Sequence, residues 1–249
     1  MPFKQHHRGQ HPGDASLFDA RWISVLRQAA ADLSWLYSRD YAEKPALKLV
    51  GDHYQLNVRQ RHALQRAACS DAALLRRRAH AVPGASLGGL PVAIDGYNLL
   101  ITVESALSGG ILIRGRDGCI RDLASLHGSY HKVEETLPAI RLIGPALARQ
   151  QPSHVVWYLD APVSNSGRLR ALLYEQAEAH GWDWHVALPP NADKPLAESG
   201  DVVVTSDSWI LDRAARWANL AAYLIEAMHP RPHILDMTGL EPPCHGAAI

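Results

Sequence analysis

The stretch Pro91-Val-Ala-Ile-Asp95-Gly-Tyr-Asn98-Leu-Leu, residues 91–100, decides how the rest of the chain is read. An apolar run of strand length ends on a carboxylate, turns at Gly96 and enters a helix. Open α/β sheets hold ligands in the crevice beyond the carboxyl ends of their strands, so Asp95 is delivered to where such sheets do chemistry. A strand-end Asp serves equally well as a helix cap. Its weight therefore depends on what the remaining sequence places beside it.

Downstream, strands and helices alternate. Strands are expected at 92–95, 111–114, 154–160, 182–188, 201–207 and 221–225. Helices are expected at 99–107, 122–126, 134–149, 164–180 and 210–218, and the tail from 231 reads as loop. Apolar runs of strand length between helical segments predict an α/β fold with a three-layer parallel sheet. His154-Val-Val-Trp-Tyr-Leu-Asp160 and Asp201-Val-Val-Val-Thr-Ser206-Asp207 repeat the pattern of an apolar strand finishing in Asp. Asp193 opens the short segment before the latter.

Upstream, residues 1–13 are polar and expected to be disordered. Phe18, Trp22, Leu26, Ala30, Leu33 and Tyr37 recur at helical spacing, with Ser16 and Asp19 spaced as a capping box, so one helix is expected to about residue 37. Residues 41–57 read as a loop and 58–69 as a helix crowded with Arg59, Gln60, Arg61 and Arg66. Arg76, Arg77 and Arg78 follow. Arginine forks suit phosphate oxygens, and an exposed face with ordinary ion pairs is the alternative. The Pro- and Gly-rich run 81–90 reads as a linker. The expected organisation is a disordered start (1–13), a basic α-helical domain (14–80), the linker (81–90), an α/β domain (91–230) and a tail (231–249).

The 249 residues carry no net charge, yet 1–90 hold 13 Lys and Arg against 7 Asp and Glu, whereas 91–249 hold 12 against 18. Such asymmetry fits a nucleic-acid-holding part beside a metal-loaded one, or two faces complementary across a contact. No apolar run reaches membrane-spanning length, and the polar N-terminus lacks the apolar centre of a signal peptide. Cys69, Cys119 and Cys244 form no CxxC pair, which fits reduced thiols and a cytoplasmic location.

Asp95, Asp160, Asp193 and Asp207 would meet at one sheet edge, where like charges repel and call for divalent cations or raised pKa values. Oxygen donors select Mg²⁺ or Mn²⁺, which can activate water against a phosphodiester. IDGYNLL, VVWYLD, NADKPLAES and VVVTSDSWILDRA together resemble, in order, the acidic elements of the NYN branch of the PIN-like nucleases. That resemblance spans roughly residues 91–226. It implies a Rossmann-like PIN-type fold with Asp95, Asp160, Asp193 and Asp207 as metal ligands. Asn98 matches the polar residue after the first Asp, and Ser206 falls at a usual ligand contact. The long region 109–136 departs from the pattern. With the Arg-rich N-terminal helices, it resembles an uncharacterised two-part prokaryotic family with an N-terminal helical domain of unknown function.

Within that region Arg114, Arg121, His127, Tyr130 and His131 are candidates to line a substrate groove, Tyr130 by stacking on a base. His127, His131 and Glu134 alternatively carry zinc-like spacing, although Gly128 weakens the helix this needs. Asp117, Asp122, Glu104 and Asp212 read as supporting or surface charges. The expected function is a metal-dependent ribonuclease with Arg59, Arg61 and Arg66 gripping RNA, DNA being the other polymer. The alternative is an inactive PIN-like RNA-binding or scaffold protein. A small-molecule phosphohydrolase is a weaker rival, since IDGYN lacks the second Asp of an aspartyl-phosphate enzyme, and no phosphate-binding glycine loop follows a strand.

Overall fold

The computed structural model describes residues 7–9, 11–124 and 130–238. It is an α/β protein with a six-stranded parallel sheet and an N-terminal helical region, a Rossmann-like arrangement.

The helical region comprises α1 (Asp14–Leu17), α2 (Ala20–Tyr37), α3 (Glu43–His53), α4 (Val58–Ala67) and α5 (Asp71–His80). The single helix expected to residue 37 is divided at Phe18. The Asp19 carboxylate accepts from the Arg21 N–H and so starts a new helix, while the Ser16 hydroxyl donates to the Gly13 carbonyl instead of joining a capping box. The loop expected at 41–57 contains α3. Pro45 lies in its first turn, where a missing N–H costs no intrahelical bond. Asn57 and Gln60 form a reciprocal capping box at the start of α4.

The run 81–90, read as a linker, opens with β1 (Ala81–Val82) and buries Leu87 in the main core. Then come β2 (Pro91–Asp95), α6 (Gly96–Leu107), β3 (Leu112–Arg114), β4 (Ile120–Asp122), α7 (Thr136–Gln150), β5 (His154–Tyr158), α8 (Ser166–His180) and β6 (Trp184–Ala187). The chain closes through α9 (Asp193–Ala197), β7 (Val202–Val204), α10 (Ser208–Leu211), β8 (Trp217–Ala218), α11 (Leu220–Glu226) and β9 (Ile234–Asp236). Four expectations fail here. Asp122 ends a strand rather than beginning a helix, the helix expected at 210–218 stops at Leu211 with Trp217 and Ala218 forming β8, residues 221–225 are helical rather than extended, and the tail supplies β9. Among the described residues no helix is long and apolar enough to cross a membrane.

The main sheet has the order β1-β8-β7-β2-β5-β6, every pairing parallel. From β2 the chain steps outward through β5 to β6, then returns to β7 on the other flank of β2. The direction of winding thus reverses between β2 and β7, the switch point at which such sheets open a crevice. Strand alternation makes the layers. Val92, Ile94, Val202, Val204 and Trp157 face the large core with α6, α7, α8 and α11, while Ala93 and Val203 meet Leu196 and Ile210 on the opposite face.

A second sheet, β4-β3-β9, joins the two parts of the molecule. Leu112 and Ile120 belong to the main core, whereas Ile111, Ile113, Leu235 and Met237 close a second core with Phe18, Leu26, Leu33, Val50 and Leu64 of the helices. Ile113 is fully buried at that joint. Ile113→Ala should therefore cost about 2–4 kcal/mol by the loss of buried methylenes and the cavity left behind. Urea unfolding followed by far-ultraviolet circular dichroism and by tryptophan fluorescence should shift together. Separation of the two transitions would show that the helices and the sheet do not share a cooperative core.

Candidate functional site: carboxylates at the switch point

Asp95 ends β2, the strand at the switch point. Its carboxylate accepts from the Asn98 N–H at 3.4 Å, capping α6, and from the Thr205 hydroxyl at 2.8 Å, just past β7. The Asn98 side-chain carbonyl accepts from the Ser206 N–H at 2.8 Å and from its hydroxyl at 2.9 Å. These contacts stitch the exits of β2 and β7 together. Gly96 is required by close approach to β5, since a Cβ there would lie 2.5 Å from Leu159 Cδ2 and 2.9 Å from the Tyr158 carbonyl oxygen.

Asp160 follows β5 and accepts from the Ala192 N–H at 2.7 Å, fixing the turn from which α9 presents Asp193. Asp207 accepts from the Trp209 and Ile210 N–H groups and so caps α10, while its own N–H donates to the Thr205 hydroxyl at 3.0 Å. Asp207 is therefore a helix cap whose charge also acts on Asp95.

The carboxylates act on one another. Burial first, and then the charges of Asp207 and Asp193, push the Asp95 carboxyl up to about 7 despite the hydrogen bonds from Thr205 and the Asn98 N–H. Asp193 is raised first by burial, then by Asp207 and Asp160. Among the described residues no three His, Cys, Asp or Glu side chains stand close enough to cage a cation. The oxygen donors nonetheless suit Mg²⁺ or Mn²⁺, which keep several waters and take one or two carboxylates rather than a closed protein cage.

Sequence reading passed over Tyr97 and Thr205. The Tyr97 hydroxyl is buried and has no hydrogen-bond partner among the described residues, and its phenol is pushed up to about 12 by burial and by Asp160. Its place between Asp95 and Asn98 was the available signal; Thr205 was signalled by the Thr-Ser-Asp triplet.

The other candidates are distributed differently. Arg59 pairs with Asp14, also donates to the Gly9 and Leu123 carbonyls, and ties the N-terminus down. Arg61 pairs with Asp52 at 2.8 Å and donates to the Leu56 carbonyl. Arg114 pairs with Glu226 at 2.7 Å, at the joint and not in the crevice. Arg121 is buried against Asp117 and donates to the Ser206 carbonyl at 2.7 Å, so it holds the crevice wall from behind. Tyr130 is core: its hydroxyl donates to Glu104 and its ring lies against Tyr97. The His131 side chain is exposed, its carbonyl accepting from Arg8 at 2.7 Å, and residues 130–135 are not helical. His127 lies outside the described residues. Arg66 alone among the arginines expected to contact RNA is exposed with no hydrogen bond or ion pair among the described residues; its charge acts on Asp122.

Glu104 and Asp122, left open as supporting or surface charges, are buried. Glu104 accepts from Arg8 at 2.8 Å and from Thr136 at 2.6 Å, so the start expected to be disordered is pinned at Arg8.

Fold and site together define a class: a Rossmann-like α/β protein with carboxylates at its switch point and a helical unit in front. The chain belongs to the family described as domain of unknown function DUF5616, whose model matches residues 84–223. A second family model, protein of unknown function DUF434, matches residues 25–80. The chain is similar to "Uncharacterized protein MJ0935" of Methanocaldococcus jannaschii, 31% identical over 186 residues that cover 75% of this chain and 88% of the relative. No solved structure matches it.

An ordinary Asp titrates near 3.9, so between there and about 7 the folded state keeps a proton on Asp95 that the unfolded chain has released. Stability contributed by that proton is present at acid pH and lost as pH rises through the window. Asp95→Asn removes the effect. Its melting temperature relative to the natural protein should therefore rise more at about pH 8 than at about pH 5. An equal difference at both values would contradict a raised Asp95.

Proposed function

We propose that this protein is a cytoplasmic PIN-like, metal-dependent ribonuclease, with Asp95, Asp160, Asp193 and Asp207 holding Mg²⁺ or Mn²⁺. The observation that carries the reading is the raising of Asp95 and Asp193 at the switch point, first by burial and then by carboxylate neighbours, Asp207 acting on both. Such a concentration of negative charge has a function if a cation completes it. The order of the acidic motifs, from IDGYN to TSD, supports the same reading.

A bound divalent ion would lower the pKa of a water and steady the leaving oxygen of a phosphodiester. The chain's own groups have separate tasks. Thr205 and the Asn98 N–H hold the Asp95 carboxylate in one orientation. Burial and the neighbouring carboxylates raise the Asp95 carboxyl, and a bound cation would favour its charged form. Asn98 fixes Ser206.

The absence of a three-ligand group among the described residues favours a second reading, RNA binding without turnover. Incubation of the full chain with labelled RNA in Mn²⁺ or in chelator separates the two. Cleavage should require the metal, and Asp95→Asn should lower its rate by about 100-fold or more while leaving the protein folded. Metal-independent cleavage, or a folded Asp95→Asn variant as active as the natural protein, would overturn the nuclease reading. Salt-sensitive binding with no turnover in any metal would establish the second.

A further inference from the structure

A cleft of about 850 Å³ separates the helical region from the acidic crevice. One wall is formed by Tyr41, His62 and Arg66, the other by Asp207, Trp209 and Arg213. Its volume falls in the range of about 300–1,000 Å³ that ligand sites occupy. Asp207 belongs to both the cleft and the crevice, so whatever fills the first reaches the second.

Trp209 is two residues beyond Asp207 and keeps 45% of its surface exposed. The Arg213 guanidinium lies over its ring, 4.1 Å from the centroid, and donates to the Trp209 carbonyl at 2.9 Å. The indole is thereby held in place, although no core demands a large aromatic group there. Tyr41, 54% exposed, adds a second aromatic surface. Arg66 brings a charge with no ion-pair partner among the described residues, and His62 is exposed one helical turn before it. The cleft lining also holds the acids Asp40, Glu43 and Asp212, the last paired with Arg77 at 2.7 Å.

An immobilised, solvent-facing indole beside an unpaired guanidinium is the chemistry that holds an unpaired base and the phosphate next to it. Stacking needs a free π face, which a base within a duplex does not offer. We propose that this cleft is a single-strand track in which a base stacks on Trp209 while Arg66 contacts a backbone phosphate, delivering the strand to the carboxylates. The proposal deepens the nuclease reading by naming its substrate class as an unpaired strand, and it rests on that reading only for what happens after binding.

The test uses the full chain carrying Asp95→Asn, without divalent metal, and the fluorescence anisotropy of a labelled oligouridylate of about eight nucleotides. Trp209→Ala should weaken binding by about fivefold or more, and Trp209→Phe should retain most of it. Arg66→Ala should reduce the slope of log affinity against log salt by about 0.7. A duplex of the same length should compete poorly, and an oligodeoxythymidylate arm reports whether the track accepts either sugar. Unchanged affinity in Trp209→Ala, with its melting preserved, would overturn the track even if the natural protein cuts RNA. Trp209-dependent binding in a protein that cuts nothing would leave the track standing and sink the nuclease reading alone.

Discussion

Asp117 is a carboxylate with 1% of its side chain exposed, clamped between two buried arginines. Arg121 meets it through two hydrogen bonds at 2.9 and 2.7 Å, and Arg77 through one at 2.6 Å. Together they hold its pKa well below the usual carboxylate range, against the burial that would raise it. Removing such charges from water costs several kcal/mol each and is offset only when every partner is in place. The partners come from different parts of the chain. Arg77 lies on α5 and also reaches Asp212 at 2.7 Å, while Arg121 lies on β4 and reaches the Ser206 carbonyl. Helical layer, hairpin and switch-point strand must therefore all be correctly placed before this cluster is satisfied. Beside it, burial pushes the Cys69 thiol up to about 11, so it remains a neutral packing group rather than a nucleophile.

That cluster also explains why the arginines were the hardest residues to assign from sequence. A run such as Arg76-Arg77-Arg78 reads identically whether it faces phosphate or a buried Asp, because the partner is chosen by tertiary contact. The charge imbalance between the two parts of the chain was visible. Arg77 with Asp117 and Asp212, and Arg8 with Glu104, show that part of it is cancelled across the contact. Arg66 and Arg78 are exposed without an ion pair among the described residues, and an exposed guanidinium has no distinctive signature in a helix rich in them.

The sheet was legible for a physical reason. Buried parallel strands must be apolar on both faces, and VAI, VVWY and VVV stand out between polar helices. The placement of Asp95, Asp160 and Asp207 after those runs followed directly. Ala221 to Ile225 was misread because a short apolar run fits a strand or a buried helix equally; the Asn219 side chain, accepting from the Ala222 N–H, decides for the helix. The strand at Ile234 was hidden because its pairing with β3 depends on residues more than a hundred positions away. Tyr130 looked like a stacking residue, and only the buried Glu104 that accepts from its hydroxyl shows it to be interior.

The second core has a consequence for how the molecule is made. Its helices lie at the start of the chain, yet Leu235 and Met237, which close it, are among the last described residues to be synthesised. A nascent chain leaving the ribosome therefore carries the apolar faces of α2 to α4 uncovered for most of its synthesis. Contacts this distant make folding slow and expose the intermediate to association with other chains. Completion of β9, rather than emergence of the helices, is the event that brings the molecule out of that hazard.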